Sequence, residues 1–402
     1  MAELIGGVIA LISFLFVSGP TFTSSSIGNP IAVLGLGLTV FSAIRSLQAN
    51  AAGPVCALMP RGAAGQRYHF SHIITFRISL GPEYLMFNRS SWAVSALTTA
   101  MLFLGGCAPG QSKPEASSGS LADARQGIAT RLLMQKKTPA PLVQPPAGFE
   151  LVHYAAPLGS FPAYVATVPD PAVKHPALVW ISGGFDNSIG DTPWAAATPD
   201  NDQSARAFPK AGIVTMYPSL RGGNNNPGYL EGLYGEVDDV IAAGKYLAGR
   251  PDVDPKRIYL GGHSTGGTLV LLTAESTHLF RAVFAFGPVS RIEQYGSDDL
   301  PFDINDRRET SLRSPVLYLS AIVSPTFVFE GTTSPSNIEP VRDLFSYSSN
   351  AHIHFYQLPG LTHFSELAPI TPVVAAGIIK DTGIQPHFSF LSQNPEIKPV
   401  DR

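Results

Sequence analysis

Hydrophobic and polar positions divide this chain into stretches of different character. From residue 147 onward, short apolar runs at 177–181, 213–217, 258–260, 283–286, 326–329 and 352–357 predict strands. Several are apolar at nearly every position, as expected of parallel strands covered on both faces. Between them, 234–247 and 265–274 carry helical spacing, and 373–379 predicts a last helix. This alternation predicts an α/β fold, a mostly parallel doubly wound sheet with helices on both faces. Ahead of it, 149–154 and 163–168 flank Pro157-Leu158-Gly159-Ser160 and predict an antiparallel hairpin at the sheet edge. Further upstream, Ala122, Ala124, Ile128, Leu132 and Leu133 are spaced as on a short amphipathic helix. Pro139, Pro141, Pro145 and Pro146 then break regular structure and set a domain boundary.

The first third reads differently. Residues 4–17 and 31–44 are almost uninterrupted apolar runs, each short of the roughly 20 residues a membrane-spanning helix needs unless flanking small residues extend it. A second pattern begins at Met86, where Arg89 supplies a positive charge and 92–104 an apolar run of signal-peptide length. Leu104-Gly105-Gly106-Cys107 follows and resembles a bacterial lipobox, in which the cysteine receives lipid. Polar, low-complexity sequence to about residue 120 then reads as a tether. The expected organisation is therefore an apolar extension over 1–85, spanning a membrane or lying upstream of the true start. A signal segment over 86–107, a linker over 108–146, a catalytic domain over 147–392 and a tail over 393–402 follow. The resemblance implies a lipoprotein of the bacterial cell envelope, held to the membrane by lipid on Cys107 or by the apolar segment.

Composition narrows the function. The 402 residues are 45 % hydrophobic and 14 % charged with a formal net charge of −3, and no basic cluster with interleaved aromatics occurs, so nucleic acid is not an expected partner. The 2 cysteines, Cys56 and Cys107, both precede the globular part, which excludes a disulfide scaffold or a cysteine zinc site there. His352 and His354 alternate on a strand without a carboxylate or cysteine at useful spacing, so no metal and no organic cofactor is implied.

Gly262-His263-Ser264-Thr265-Gly266 carries the chemistry. It fits G-x-S-x-G, follows the strand at 258–260 and opens the helix at 265, which is the setting of a nucleophile elbow. The turn forces the serine into a strained conformation, and the helix start behind it favours developing negative charge. His363, in Leu358-Pro359-Gly360-Leu361-Thr362-His363-Phe364, follows the last predicted strand and is placed to act as general base. One oxyanion donor is expected from the Thr265 amide and the other from Gly184 or Phe185, in Ser182-Gly183-Gly184-Phe185 after the third strand.

The series Tyr217-Pro218-Ser219-Leu220-Arg221-Gly222-Gly223, Gly235-Glu236-Val237-Asp238-Asp239-Val240, Val253-Asp254-Pro255-Lys256-Arg257-Ile258 and the elbow resembles the catalytic domain of the prolyl oligopeptidase family. It is similar as well to that family's stand-alone esterase and dienelactone-hydrolase-like relatives, over about 178–363. The resemblance implies the α/β-hydrolase fold, with Arg221 and Asp239 supporting the substrate loop and bracing the elbow. No propeller repeats precede the domain. Where relatives carry His-Gly-x-x-Asp, this chain reads Phe329-Glu330-Gly331-Thr332-Thr333-Ser334, so serine stands at the aspartate position. Serine cannot stabilise an imidazolium, and Glu330 at the strand end is the expected acid, with Glu339, Asp343 and Glu293 behind it. Residues 186–208 and Asn224-Asn225-Asn226 are expected at the pocket mouth. The expected function is a serine hydrolase that cleaves a small ester, or a peptide, through an acyl-enzyme. The alternative is a non-catalytic binding protein of the same fold.

Overall fold

This computed structural model describes residues 119–168, 170–390 and 394–401. The apolar runs, the lipobox and Cys107 lie outside the described residues. Among the described residues, no helix is long and apolar enough to cross a membrane.

The strands are β1 (Phe149–Ala156), β2 (Gly159–Ala166), β3 (His175–Ile181), β4 (Val214–Pro218), β5 (Val253–His263), β6 (Ala282–Phe286), β7 (Thr326–Thr333), β8 (Ile353–Thr362) and β9 (Lys398–Pro399). They form one sheet in the order β1-β2-β4-β3-β5-β6-β7-β8-β9. β4, β3, β5, β6, β7 and β8 run parallel. β1 and β2 form the expected antiparallel hairpin, closed between Ala156 and Gly159, and β9 adds an antiparallel edge. The tail expected after residue 392 thus supplies a strand.

The helices are α1 (Leu121–Arg125), α2 (Ala207–Lys210), α3 (Glu236–Ala248), α4 (Thr265–Ala274), α5 (Arg307–Ser311), α6 (Ile338–Tyr347) and α7 (Leu367–Lys380). One apolar layer joins Val179, Leu260 and Val328 of the sheet to Val240 of α3, Leu271 of α4 and Leu344 of α6. The other joins Leu178, Tyr259 and Phe284 to Phe208 of α2 and Ile370 and Val374 of α7. Alternate residues of one strand therefore feed opposite layers, which is why these strands read as continuous apolar runs. This is the α/β-hydrolase fold.

Chain order reverses at β3. The chain steps from β3 to β4 on one side, then returns to place β5 on the other. In open parallel sheets the crevice at such a reversal, outside the carboxyl ends of the strands, is where ligands bind. Ser182 and Ser264 follow the ends of β3 and β5, on either side of it.

Three segments differ from expectation. α7 starts at Leu367, well before 373, with Pro372 inside it, because Leu367, Ile370 and Val374 bury a continuous apolar face. Residues 128–143, expected in a linker, are bonded across the domain. Ala140 O accepts from Asn224, Thr138 N donates to Gly222 O, and the Tyr164 hydroxyl donates to Val143 O. Asn224 and Asn226, expected at the pocket mouth, are 3 % and 4 % exposed, with their amides bonded to the backbone of Ala140, Ile189 and Leu220.

Candidate active site

Ser264 sits between the last residue of β5 and the first of α4, with φ 58° and ψ −117°. A non-glycine residue pays strain to hold positive φ, and the surroundings enforce it here. Its N–H donates to Phe286 O on β6 at 2.8 Å. A Cβ at Gly262 would lie 2.6 Å from Gly266 O, and one at Gly266 would fall on Ile181 O. Both glycines of the motif are thus fixed by close backbone approach. The serine side chain itself is half-buried.

His363 directly follows β8 and is 7 % exposed. Its Nδ1 lies 3.1 Å from Glu330 Oε2, and Glu330, on β7, is fully buried. Glu330 Oε1 accepts the Asn337 N–H at 2.9 Å, and the His363 N–H donates to Pro335 O at 2.8 Å. Residues 335–337 therefore brace both members of the pair. A Cβ at Gly287 (φ +58°), which follows β6, would fall on the His363 ring and within 2.6 Å of Glu330 Oε2. The end of β6 thus links the elbow to the histidine–glutamate pair. The remaining acids are elsewhere: Glu339 pairs with Arg342 at the surface, Asp343 accepts the Ser290 hydroxyl at 2.6 Å, and Glu293 is exposed. Ser334 is exposed as well.

The loop after β3 reaches the serine. A Cβ at Gly183 would lie 3.0 Å from Ser264 Cβ, and the Thr265 hydroxyl donates to Gly184 O at 2.6 Å. The Thr265 N–H is among the donors that the start of α4 leaves without an intrahelical acceptor. The Phe185 ring meets the Tyr295 ring edge-on at 5.2 Å. Arg221 and Asp239 form a buried bidentate pair, with Nε to Oδ2 and Nη2 to Oδ1 both at 2.9 Å. Arg221 also reaches Glu231 at 2.8 Å, and its carbonyl accepts the Asn187 amide at 2.8 Å. The pair therefore touches the loop after β3 through Asn187, not the elbow residues.

Two residues at this site were not singled out in the sequence. His263 is fully buried. Its ring lies 4.5 Å from that of His363, and its Nε2 lies 2.8 Å from His363 O. Burial, and next the neighbouring His363, push its pKa down to about 3, so the imidazole is neutral. Glu366 is fully buried and neither carboxyl oxygen has a hydrogen-bond partner. Burial, then the Glu330 carboxylate, hold it well above the ordinary carboxyl range. The sole sequence signal for either is adjacency, one residue before the serine and three after the histidine.

His263, His363 and Glu366 offer ligand atoms within 4.8 Å of one another. As a metal site they fit poorly, since three of the four ring nitrogens are already engaged: His363 Nδ1 with Glu330, His263 Nε2 with His363 O, and His263 Nδ1 with Gln203.

A model of the prolyl oligopeptidase family matches residues 200–331, a span that includes Ser264 and Glu330. No curated protein sequence matches the chain. Among solved structures, a puromycin-hydrolysing peptidase from Mycobacterium tuberculosis is 18 % identical over 61 % of this chain and 41 % of its own, with TM-score 0.48. Porphyromonas gingivalis dipeptidyl peptidase 4 is 18 % identical over 54 % and 32 %, with TM-score 0.43. A Pyrobaculum calidifontis esterase is 18 % identical over 58 % and 86 %, with TM-score 0.42. The match spans about a third to two-fifths of the two peptidases' own length. The serine elbow, the fold and the family match are those of a serine hydrolase.

Proposed function

We propose that the chain hydrolyses a small ester, and a peptide bond less readily, through an acyl-enzyme on Ser264. The observation that carries this reading is a half-buried serine held at φ 58° on a helix start, with the end of β6 linking it to a buried His363–Glu330 pair. In the reaction, Ser264 Oγ bonds to the substrate carbonyl carbon while His363 Nε2 takes its proton, and the carbonyl electron pair moves onto oxygen. The amides of Thr265 and of Gly184 or Phe185 bind that oxyanion. Collapse expels the alkoxide, which takes the proton back from His363. Water then attacks the acyl-enzyme by the same route and frees the acid. Glu330 orients His363 and stabilises its imidazolium, the part an aspartate plays in a serine triad. Arg221 and Asp239 support the substrate loop, consistent with the Asn187 contact. Lipid on Cys107 would anchor the enzyme at the bacterial envelope.

The test uses the full chain, wild type beside Ser264→Ala, with a fluorophosphonate probe, short-chain p-nitrophenyl esters and peptidyl p-nitroanilides. We expect labelling and ester turnover in wild type alone, with anilide turnover slower. Anilide turnover exceeding that of the esters would reverse the substrate order. Absence of both labelling and turnover in wild type would favour a binding protein. Palmitate incorporation lost in Cys107→Ser tests the anchor, and equal incorporation in both would refute it.

A further inference from the structure

His263 fills the variable position before the nucleophile, and the chemistry above gives it no part. Its contacts assign one. β5, which ends at His263, and β8, which leads into His363, are separated in the sheet by β6 and β7. The His263 side chain nonetheless bonds directly to the His363 backbone, with Nε2 2.8 Å from the carbonyl oxygen. A carbonyl can only accept, so Nε2 carries the hydrogen in this contact. In the neutral ring Nδ1 then has only its lone pair, and of the two Gln203 amide atoms beside it, Nε2 at 3.0 Å and Oε1 at 3.1 Å, it is Nε2 that can donate to it. Both nitrogens of the buried ring are thereby satisfied in one tautomer, and neither can turn without orphaning a buried polar group. The two imidazoles lie at an interplanar angle of 39°, and the Phe364 ring packs against both, 5.9 Å from His263 and 5.0 Å from His363 between ring centroids.

We propose that His263 is a positioning residue, whose Nε2–H holds the His363 carbonyl and so fixes the gap between the nucleophile elbow and the general base, while the Gln203 amide meets its other ring nitrogen. The proposal rests on the acyl-enzyme reading above. A neutral ring suits the task, because a second cation beside His363 would oppose the imidazolium that forms as Ser264 gives up its proton. Loosening the tie lets His363 drift relative to Ser264 Oγ. A misplacement of about 1 Å can cost on the order of 100-fold in rate.

The test compares full-length wild type, Ser264→Ala, His263→Leu and His263→Gln in ester hydrolysis, fluorophosphonate labelling and thermal melting. The glutamine amide nitrogen can donate from about the place of Nε2, whereas leucine fills the space without donating. We expect His263→Leu to lose about 10- to 100-fold in kcat and in labelling rate, with KM within about twofold of wild type. His263→Gln should return to within about threefold of wild-type kcat even where its melting temperature falls as far as that of the leucine variant. A common loss in both variants that tracks their melting temperatures would reduce His263 to core packing and overturn the proposal, as would wild-type kcat in His263→Leu. If the leucine variant does not fold, His263→Gln decides alone, and a loss of more than about tenfold in folded protein overturns it. Wild type that neither labels nor turns over removes the acyl-enzyme reading itself, a result distinct from either of these.

Discussion

At the scale of single residues, the acid–base pair differs from its usual composition by one methylene and by four positions in sequence. An aspartate at position 334 would stand on the loop after β7, whereas Glu330 stands on the strand, with no exposure to solvent and its second oxygen held by the Asn337 N–H. The longer side chain spans what the loop position would have spanned. Because the carboxylate touches His363 Nδ1 at 3.1 Å, removing its charge should act on turnover more than on binding. Glu330→Gln keeps the shape, yet its amide can present a donor to Nδ1 and favour the wrong tautomer. We expect kcat for ester hydrolysis to fall by about 10³- to 10⁴-fold with KM changed little. Steady-state kinetics on the purified variant measure this. A loss under tenfold would show that His363 works without an acid partner.

At the scale of elements, residues far from the serine in sequence hold the loop proposed to carry the second oxyanion donor. Thr138 Oγ1 accepts the Asn187 N–H at 3.1 Å, and the Ser188 hydroxyl bonds to Thr138 O. Segment 128–143 is thereby a strap on the continuation of Ser182-Gly183-Gly184-Phe185. Thr138→Val keeps the volume and removes the acceptor, leaving the Asn187 amide unpaired at a penalty of about 1–3 kcal/mol. We expect a three- to tenfold loss of kcat, about 1 kcal/mol expressed in the loop, with the melting temperature lowered by about 2–4 °C per kcal/mol lost. Unchanged kcat would mean that the loop keeps its place without the strap. The sequence misread this segment: Ile128, Leu132 and Leu133 looked like the end of an amphipathic helix that stops at Arg125, and most of its partners lie about 50 to 180 positions away. The elbow, by contrast, is written in five consecutive residues, and α4 begins and ends at the residues its spacing predicts. The contact of Glu330 with His363 was legible because strand-end position and charge coincide at one residue. The start of α7 was not, because apolar burial of Leu367 and Ile370 outweighs the helix-breaking tendency of Pro372. Asn224 and Asn226 looked like surface because polarity alone cannot tell a solvated amide from one spent on buried backbone groups.

At the scale of the whole molecule, buried ionisable groups set opposing limits on stability with pH. His263 has its folded pKa depressed from 6.5 to about 3, so its stabilising share is present above pH 6.5 and is lost as pH falls from there toward 3. Glu275 and Glu366 act in the other direction. Burial holds Glu275, which caps the end of α4, well above its ordinary 4.5, and neither of its carboxyl oxygens has a hydrogen-bond partner. Its folded pKa is raised, so its contribution is fully present below pH 4.5. As pH rises further, the unfolded chain releases a proton that the folded one keeps, and stability falls until the folded carboxyl itself ionises. Glu275→Gln removes this titration and keeps the shape and polarity of the group. Glu275 makes no contact with Ser264, His363 or Glu330, so its effect belongs to the fold. We expect Glu275→Gln to melt progressively higher relative to wild type as pH is raised from 5 to 8, each kcal/mol of difference showing as roughly 2–4 °C. Melting curves on both proteins across that range measure it. A constant offset would mean that the Glu275 carboxyl finds a partner, such as a buried water, that keeps its folded pKa near 4.5.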